Sequence, residues 1–119
     1  MDYDDAFQEI KKEIVTLLRA GETKNLEGIA INKLPSSFKC LILMTYFEKD
    51  YFPAPTRTAL DAYCKAVNMS FDEKEDPIYR NVRLVELLRK IPEISDWSTR
   101  DLMAFCDWLW RKGLNITSP

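Results

Sequence analysis

Apolar residues in this chain recur with the period of a helix. Phe7, Ile10, Ile14, Leu17 and Leu18 fall at spacings of 3, 4, 3 and 1, one stripe of a helix predicted over residues 4–20. Asp2, Asp4 and Asp5 lie at its start, where the helix dipole favours negative charge, and Arg19 lies in its last turn. Gly21 is placed to end it in the left-handed conformation. Glu9, Lys11, Lys12 and Glu13 mark the opposite, solvated face.

Residues 22–34 are less periodic. Thr23 is a candidate cap for one or two helical turns that turn Leu26, Ile29 and Ala30 inward, with Gly28 weakening them. Pro35 suits a first helical position. The run Phe38, Cys40, Leu41, Ile42, Leu43, Met44, Tyr46, Phe47 is apolar nearly all round, the signature of a central helix packed on several sides. Pro53 and Pro55 stop it, because each forces its predecessor into extended geometry.

Three features divide the second half. Thr56 is a candidate N-cap for a helix whose stripe is Ala59, Leu60, Tyr63, Ala66 and Val67, and Asn68 can end it. Small residues on and beside that face imply close approach to a neighbouring helix. A charged loop follows over 69–76. Asp76-Pro77 then opens a helix with inner residues Ile78, Val82, Val85, Leu88 and Ile91, halted by Pro92. Ser98 with Asp101 three residues later resembles a capping box. Leu102, Met103, Phe105, Cys106, Trp108, Leu109 and Trp110 fill the last helix, with Gly113 as terminator. No segment alternates like a strand. The expected fold is an all-α, single-domain bundle of five to six helices over residues 1–119, its ordered core about 4–113 and a loose tail over 114–119.

Composition narrows the function more than the fold. The chain has 119 residues, 46% of them hydrophobic and 30% charged, and no histidine. Ser-His-Asp and Cys-His nucleophiles, histidine metal ligands and imidazole proton shuttles are therefore excluded. Three glycines, at 21, 28 and 113, make no phosphate loop. The acidic stretch Asp72–Asp76 fails as a calcium loop, since Lys74 and Pro77 fall where a ligand and a glycine are required. Glu9 and Glu13 share a helix face but lack the histidines of carboxylate-bridged metal sites and have lysines beside them. Hence no catalytic residue, no metal and no cofactor is assigned, and the chain is read as not an enzyme.

Cys40, Cys64 and Cys106 form no CxxC and sit among apolar residues, so they read as reduced core thiols in a cytoplasmic protein. No signal peptide or bilayer-spanning stretch is visible, which implies no membrane partner. Net charge is −2 and the isoelectric point about 5.2, which disfavours nucleic acid.

Two clusters remain as candidate surfaces. Trp97, Phe105, Trp108 and Trp110 lie within fourteen residues, and Trp108 and Trp110 fall about 200° apart on a helical wheel. One inward face cannot take them all. Tryptophan beside arginine is the composition of a binding hot spot. The expected partner-binding residues are Trp97, Trp108, Trp110 and Arg111, with Tyr51 and Phe52 from the proline-rich loop. Arg80, Arg83, Lys90 and Lys112 form a second candidate patch, for phosphates or an acidic partner, if the last two helices pack antiparallel. The resulting expectation is a small helical interaction module (adaptor, inhibitor or assembly subunit) that binds another protein. A helical subunit of a nucleoprotein complex is the alternative.

Overall fold

The computed structural model describes residues 2–54 and 56–114. Within them the backbone forms six helices and no strand: α1 (Tyr3–Glu22), α2 (Leu26–Ile31), α3 (Ser36–Tyr46), α4 (Arg57–Ala66), α5 (Pro77–Arg89) and α6 (Thr99–Arg111). The fold is all-α. The C-terminal tail expected after Leu114 lies outside the described residues.

The helix starts follow side-chain chemistry. Side chains of Asp2, Asn25, Thr56, Asp76 and Ser98 accept from backbone N–H groups that the first turn leaves unpaired. Asn25, not Thr23, caps α2; the Thr23 hydroxyl donates back to the Arg19 carbonyl instead. Pro35 is the cap residue of α3 rather than its first residue, and offers no side-chain bond. Left-handed residues at the helix ends are Lys24, Asn68 and Gly113, with φ of 54°, 59° and 66°.

Gly21 does not end α1. It lies inside the helix, where a Cβ would meet Leu43 Cδ2 at 2.6 Å and Phe47 Cε2 at 2.8 Å. The glycine is there so that α3 can approach, and the turn falls to Lys24. The all-round apolar pattern of α3 also misleads. Ile42, Leu43 and the Lys39 stem are buried, while Phe38, Leu41 and Tyr46 face solvent. The helix therefore packs on one side, not several. Its Lys39 ammonium donates to the carbonyls of Ile29, Ala30 and Asn32. A cation thus satisfies the end of α2, where helix carbonyls lack partners.

Two apolar cores result. One joins α1, α2 and α3 to the start of α5 through Leu17, Ile29, Leu43, Tyr51 and Val82. The other joins α4, α5 and α6 through Phe52, Leu60, Cys64, Leu84, Leu88, Leu102 and Cys106. The adjacent residues Tyr51 and Phe52 each enter a different core and are fully buried, so neither is the surface contact expected from the sequence. Extended chain turns successive side chains to opposite sides, which lets two neighbours serve two cores. Asn81 fixes this crossing: its side-chain oxygen accepts from Phe52 N at 2.8 Å and its nitrogen donates to Phe52 O at 2.8 Å. The Tyr51 hydroxyl donates to the Gly21 carbonyl at 2.7 Å. Burial first, then Asp50, pushes that hydroxyl up to about 12.

Arg80 is the largest fully buried side chain. Its Nε donates to Asp61 Oδ1 at 2.6 Å, a terminal nitrogen donates to Glu75 O, and the guanidinium lies 4.9 Å from the Phe71 ring centre. It ties α4, α5 and the 69–76 loop together. The molecule measures 55 × 26 × 21 Å along its principal axes. Its length owes much to α1, whose 20 residues span about 30 Å. Phe7 and Ile10, expected to face inward, are exposed; the chain leaving α2 bonds to α1 at Glu13, through Asn32 and Lys33, beyond these two residues.

Candidate functional site

The surface with the most distinctive chemistry is built by α6 and the segment entering it. Leu102, Cys106 and Leu109 point inward, each at or below 6% exposure. Asp101, Phe105, Trp108 and Lys112 follow one flank at spacings of three or four, with Phe105 half-buried against the second core and Trp108 exposed. Large apolar residues therefore extend from the core face of the helix onto its flank. Trp108 is 51% exposed and Trp97 39%.

Trp97 is held in place by its backbone. Arg89 donates to the carbonyls of Ser95, Trp97 and Lys49. The Thr99 hydroxyl donates to the Glu48 carbonyl, and Ser98 Oγ caps α6 by accepting from Asp101 N. The reciprocal half of the expected capping box is not formed by these bonds. So fixed, the Trp97 indole stands edge-on to Phe105, with centroids 6.2 Å apart and planes at 85°. Trp108 lies three residues beyond Phe105, on the same face. Beside Trp97 a groove of about 650 Å³ runs between Met44, Lys49, Pro53, Arg89 and Arg100. The result is an apolar ridge next to a mixed polar groove.

Trp110 belongs elsewhere. It is 48% exposed, but its ring stands edge-on to Tyr63 of α4 at 6.1 Å. The Tyr63 hydroxyl donates to Asp107 Oδ1, and Arg111 Nε donates to Asp107 Oδ2 at 2.7 Å. The Arg111 bond holds the Asp107 carboxyl below its usual range. Burial, then the Asp107 contact, raises the Tyr63 hydroxyl. Of the expected partner-binding residues, then, Trp97 and Trp108 share a face, Trp110 and Arg111 flank it, and Tyr51 and Phe52 are core.

The expected basic patch does not assemble. Arg80 is sealed in the interior. Arg83 donates to the Ser70 carbonyl and lies 4.0 Å from Glu75 Oε1, so it pins the 69–76 loop. Lys90 caps the end of α5 and Lys112 the end of α6. The short 90–98 connection puts the start of α6, not its end, beside Lys90. Lys112 therefore lies about 20 Å further along the helix. Moreover, α6 packs most extensively on α4 rather than on α5.

A second cavity, about 500 Å³, opens between the two cores. Ile29, Leu43, Leu60 and Ile78 wall it, with Ser36, Arg57 and Asp76 at its rim. Cys40 lies on its wall, and burial raises that thiol, which weakens it as a nucleophile. Cys64 and Cys106 lie within the second core, where burial pushes both thiols up to about 12. Among the described residues no cluster of histidine, cysteine or carboxylate side chains could hold a metal ion, and no helix is long and apolar enough to cross a membrane.

Sequence reasoning undervalued two residues here. Phe105 bridges the two tryptophans, and its i, i+3 spacing to Trp108 was the available signal. Arg89 organises the Trp97 segment through three backbone carbonyls, for which spacing offers no signal. The chain matches no family model, no curated protein and no solved structure.

Proposed function

We propose that this protein is a small helical interaction module that binds another protein through the Trp97–Phe105–Trp108 face of α6. The observation that carries this reading is Trp108: a half-exposed indole on a helix whose inward face already supplies the core. Each half-open tryptophan offers on the order of 100 Å² of ring surface. The Trp97 backbone is fixed by Arg89 and its indole already rests against Phe105, so less conformational entropy is lost on binding. Arg100 and Lys112 lie at the edges, where polar residues rim an apolar centre. Three free thiols, two of them buried, favour a reducing, cytoplasmic setting.

The test is affinity capture with the unaltered protein and with Trp108→Ala and Trp97→Ala, read by quantitative mass spectrometry. Affinity for the captured protein is then measured by calorimetry. A hot-spot tryptophan loses on the order of 30-fold in affinity when truncated, while its exposure leaves the melting temperature nearly unchanged. Equal capture by all three proteins refutes the proposal. So does unfolding of the variants, which would make the tryptophans part of the core.

A further inference from the structure

We infer that α1 pairs with α1 of a second copy, side by side and antiparallel, making the protein a homodimer in solution. The inference stands apart from the α6 proposal and rests on different residues. Tyr3, Phe7 and Ile10 are 94%, 64% and 49% exposed. With half-buried Ile14 and buried Leu17 they fall at positions 3, 7, 10, 14 and 17, alternating spacings of four and three. That is the seam of a two-helix coiled coil. It begins in solvent and runs into the first core at Leu17.

The free end of α1 has nothing else to hold it. Residues before Glu13 make no hydrogen bond to another element among the described residues, and a ten-residue helix alone is marginal in water. Charge then chooses the partner and the direction. Asp4 and Lys11 occupy equivalent flanking positions seven residues apart. With two copies antiparallel about a twofold axis between Phe7 and Ile10, Phe7 of each packs on Ile10 of the other, and Tyr3 on Ile14. Asp4 of each copy then lies beside Lys11 of the other, giving two opposite-charge pairs. A parallel pair sets Lys11 beside Ala6 and Glu13 beside Leu18, and gains neither. The arrangement is closed and self-complementary, as a twofold dimer requires.

The area suffices for a reversible dimer. Tyr3, Phe7 and Ile10 offer on the order of 400 Å² of apolar surface per copy. Ile14 and the Lys11 stem bring the two-copy contact to roughly 1,000 Å², the lower edge for a specific interface. Sedimentation equilibrium from about 1 to 300 μM should show a transition from the 13.9 kDa chain to about twice that mass. Ile10→Asp abolishes the transition and costs at most the helicity of the first ten residues of α1, while the near-ultraviolet dichroism of the tryptophans in the body stays unchanged, since the side chain is open in the monomer. Lys11→Glu weakens the dimer about tenfold, and adding Asp4→Lys to it restores the affinity. A chain that stays monomeric throughout overturns the inference, including one that captures a different protein on this face. A dimer indifferent to Ile10→Asp, or a charge reversal that fails to restore it, overturns it as well. Trp108→Ala leaves the dimer intact, so the two proposals fail separately.

Discussion

Arg80 and Asp61 are an unequal pair, and the inequality sets what each substitution does. The Arg80 side chain is 0% exposed and the Asp61 side chain 25%. Removing Asp61 leaves a guanidinium sealed in the interior, with the Glu75 carbonyl and the Phe71 ring as its remaining partners. One of its terminal nitrogens already lacks a hydrogen bond. Stranding a buried charge costs about 3–5 kcal/mol. Removing Arg80 instead leaves a carboxylate that water can reach. Arg80→Met fills most of the same volume with apolar surface and gives up one hydrogen bond to a backbone carbonyl, worth about 1–2 kcal/mol with the repacking. Asp61→Ala should therefore be the worse substitution by roughly 2 kcal/mol, although it removes fewer atoms.

Urea unfolding at neutral pH, followed by tryptophan fluorescence and by circular dichroism, measures both. With a slope of about 1.5 kcal/mol per molar, Asp61→Ala lowers the midpoint by about 2.5 M and Arg80→Met by about 1 M. Adding salt should change the difference little, because the pair is screened only weakly where Arg80 lies. If Arg80→Met proves the more costly, or if both midpoints move by less than 0.3 M, the reasoning from burial is wrong.

Two further outcomes follow from packing and burial. Gly21→Ala should destabilise by about 1–3 kcal/mol in thermal melts, although alanine is the better helix former by about 1 kcal/mol, because its methyl would strike Leu43 and Phe47; an unchanged or higher melting temperature refutes the close-approach explanation. Stability should hold up to about pH 9 and fall between pH 9 and 12: the unfolded chain loses thiol protons from about 9.0, whereas folded Cys64 and Cys106 keep theirs to about 12, and Tyr51 adds to the loss above 10.0. Urea midpoints across pH 7–11 check this, and a flat profile, or rapid labelling of all three thiols in the native state at pH 8, contradicts it.

The helices were readable because their signals are local. Asp76-Pro77 opens α5, and Ser98 opens α6, through bonds made within one turn of chain. The contrast between Gly21 and Gly113 shows where such signals stop. Both stand near a helix end, and only Gly113 takes the left-handed conformation. What distinguishes Gly21 is the approach of Leu43, 22 residues away. Part of the candidate site was legible too. The surplus of large rings on α6 and in the segment entering it marked Trp97 and Trp108, since one helix face can bury only so many.

What the sequence could not decide was which element covers which face. Tyr51-Phe52 followed by prolines looked like a surface loop, and Arg80 like a solvated cation. Both are core, because the chain crosses between two hydrophobic cores at residues 51–54 and because Asp61, from another helix, meets Arg80. Conversely, the first half of the α1 stripe, Phe7 and Ile10, faces water, while Ile14, Leu17 and Leu18 meet the first core. Helix type and most helix starts follow from neighbours within about four positions and were legible in the sequence, whereas the end of α1 was not, because Gly21 answers to Leu43 and Phe47. Burial is a property of distant partners, and only the tertiary structure brought Asn81 to Phe52, Asp61 to Arg80 and Arg89 to the Trp97 segment.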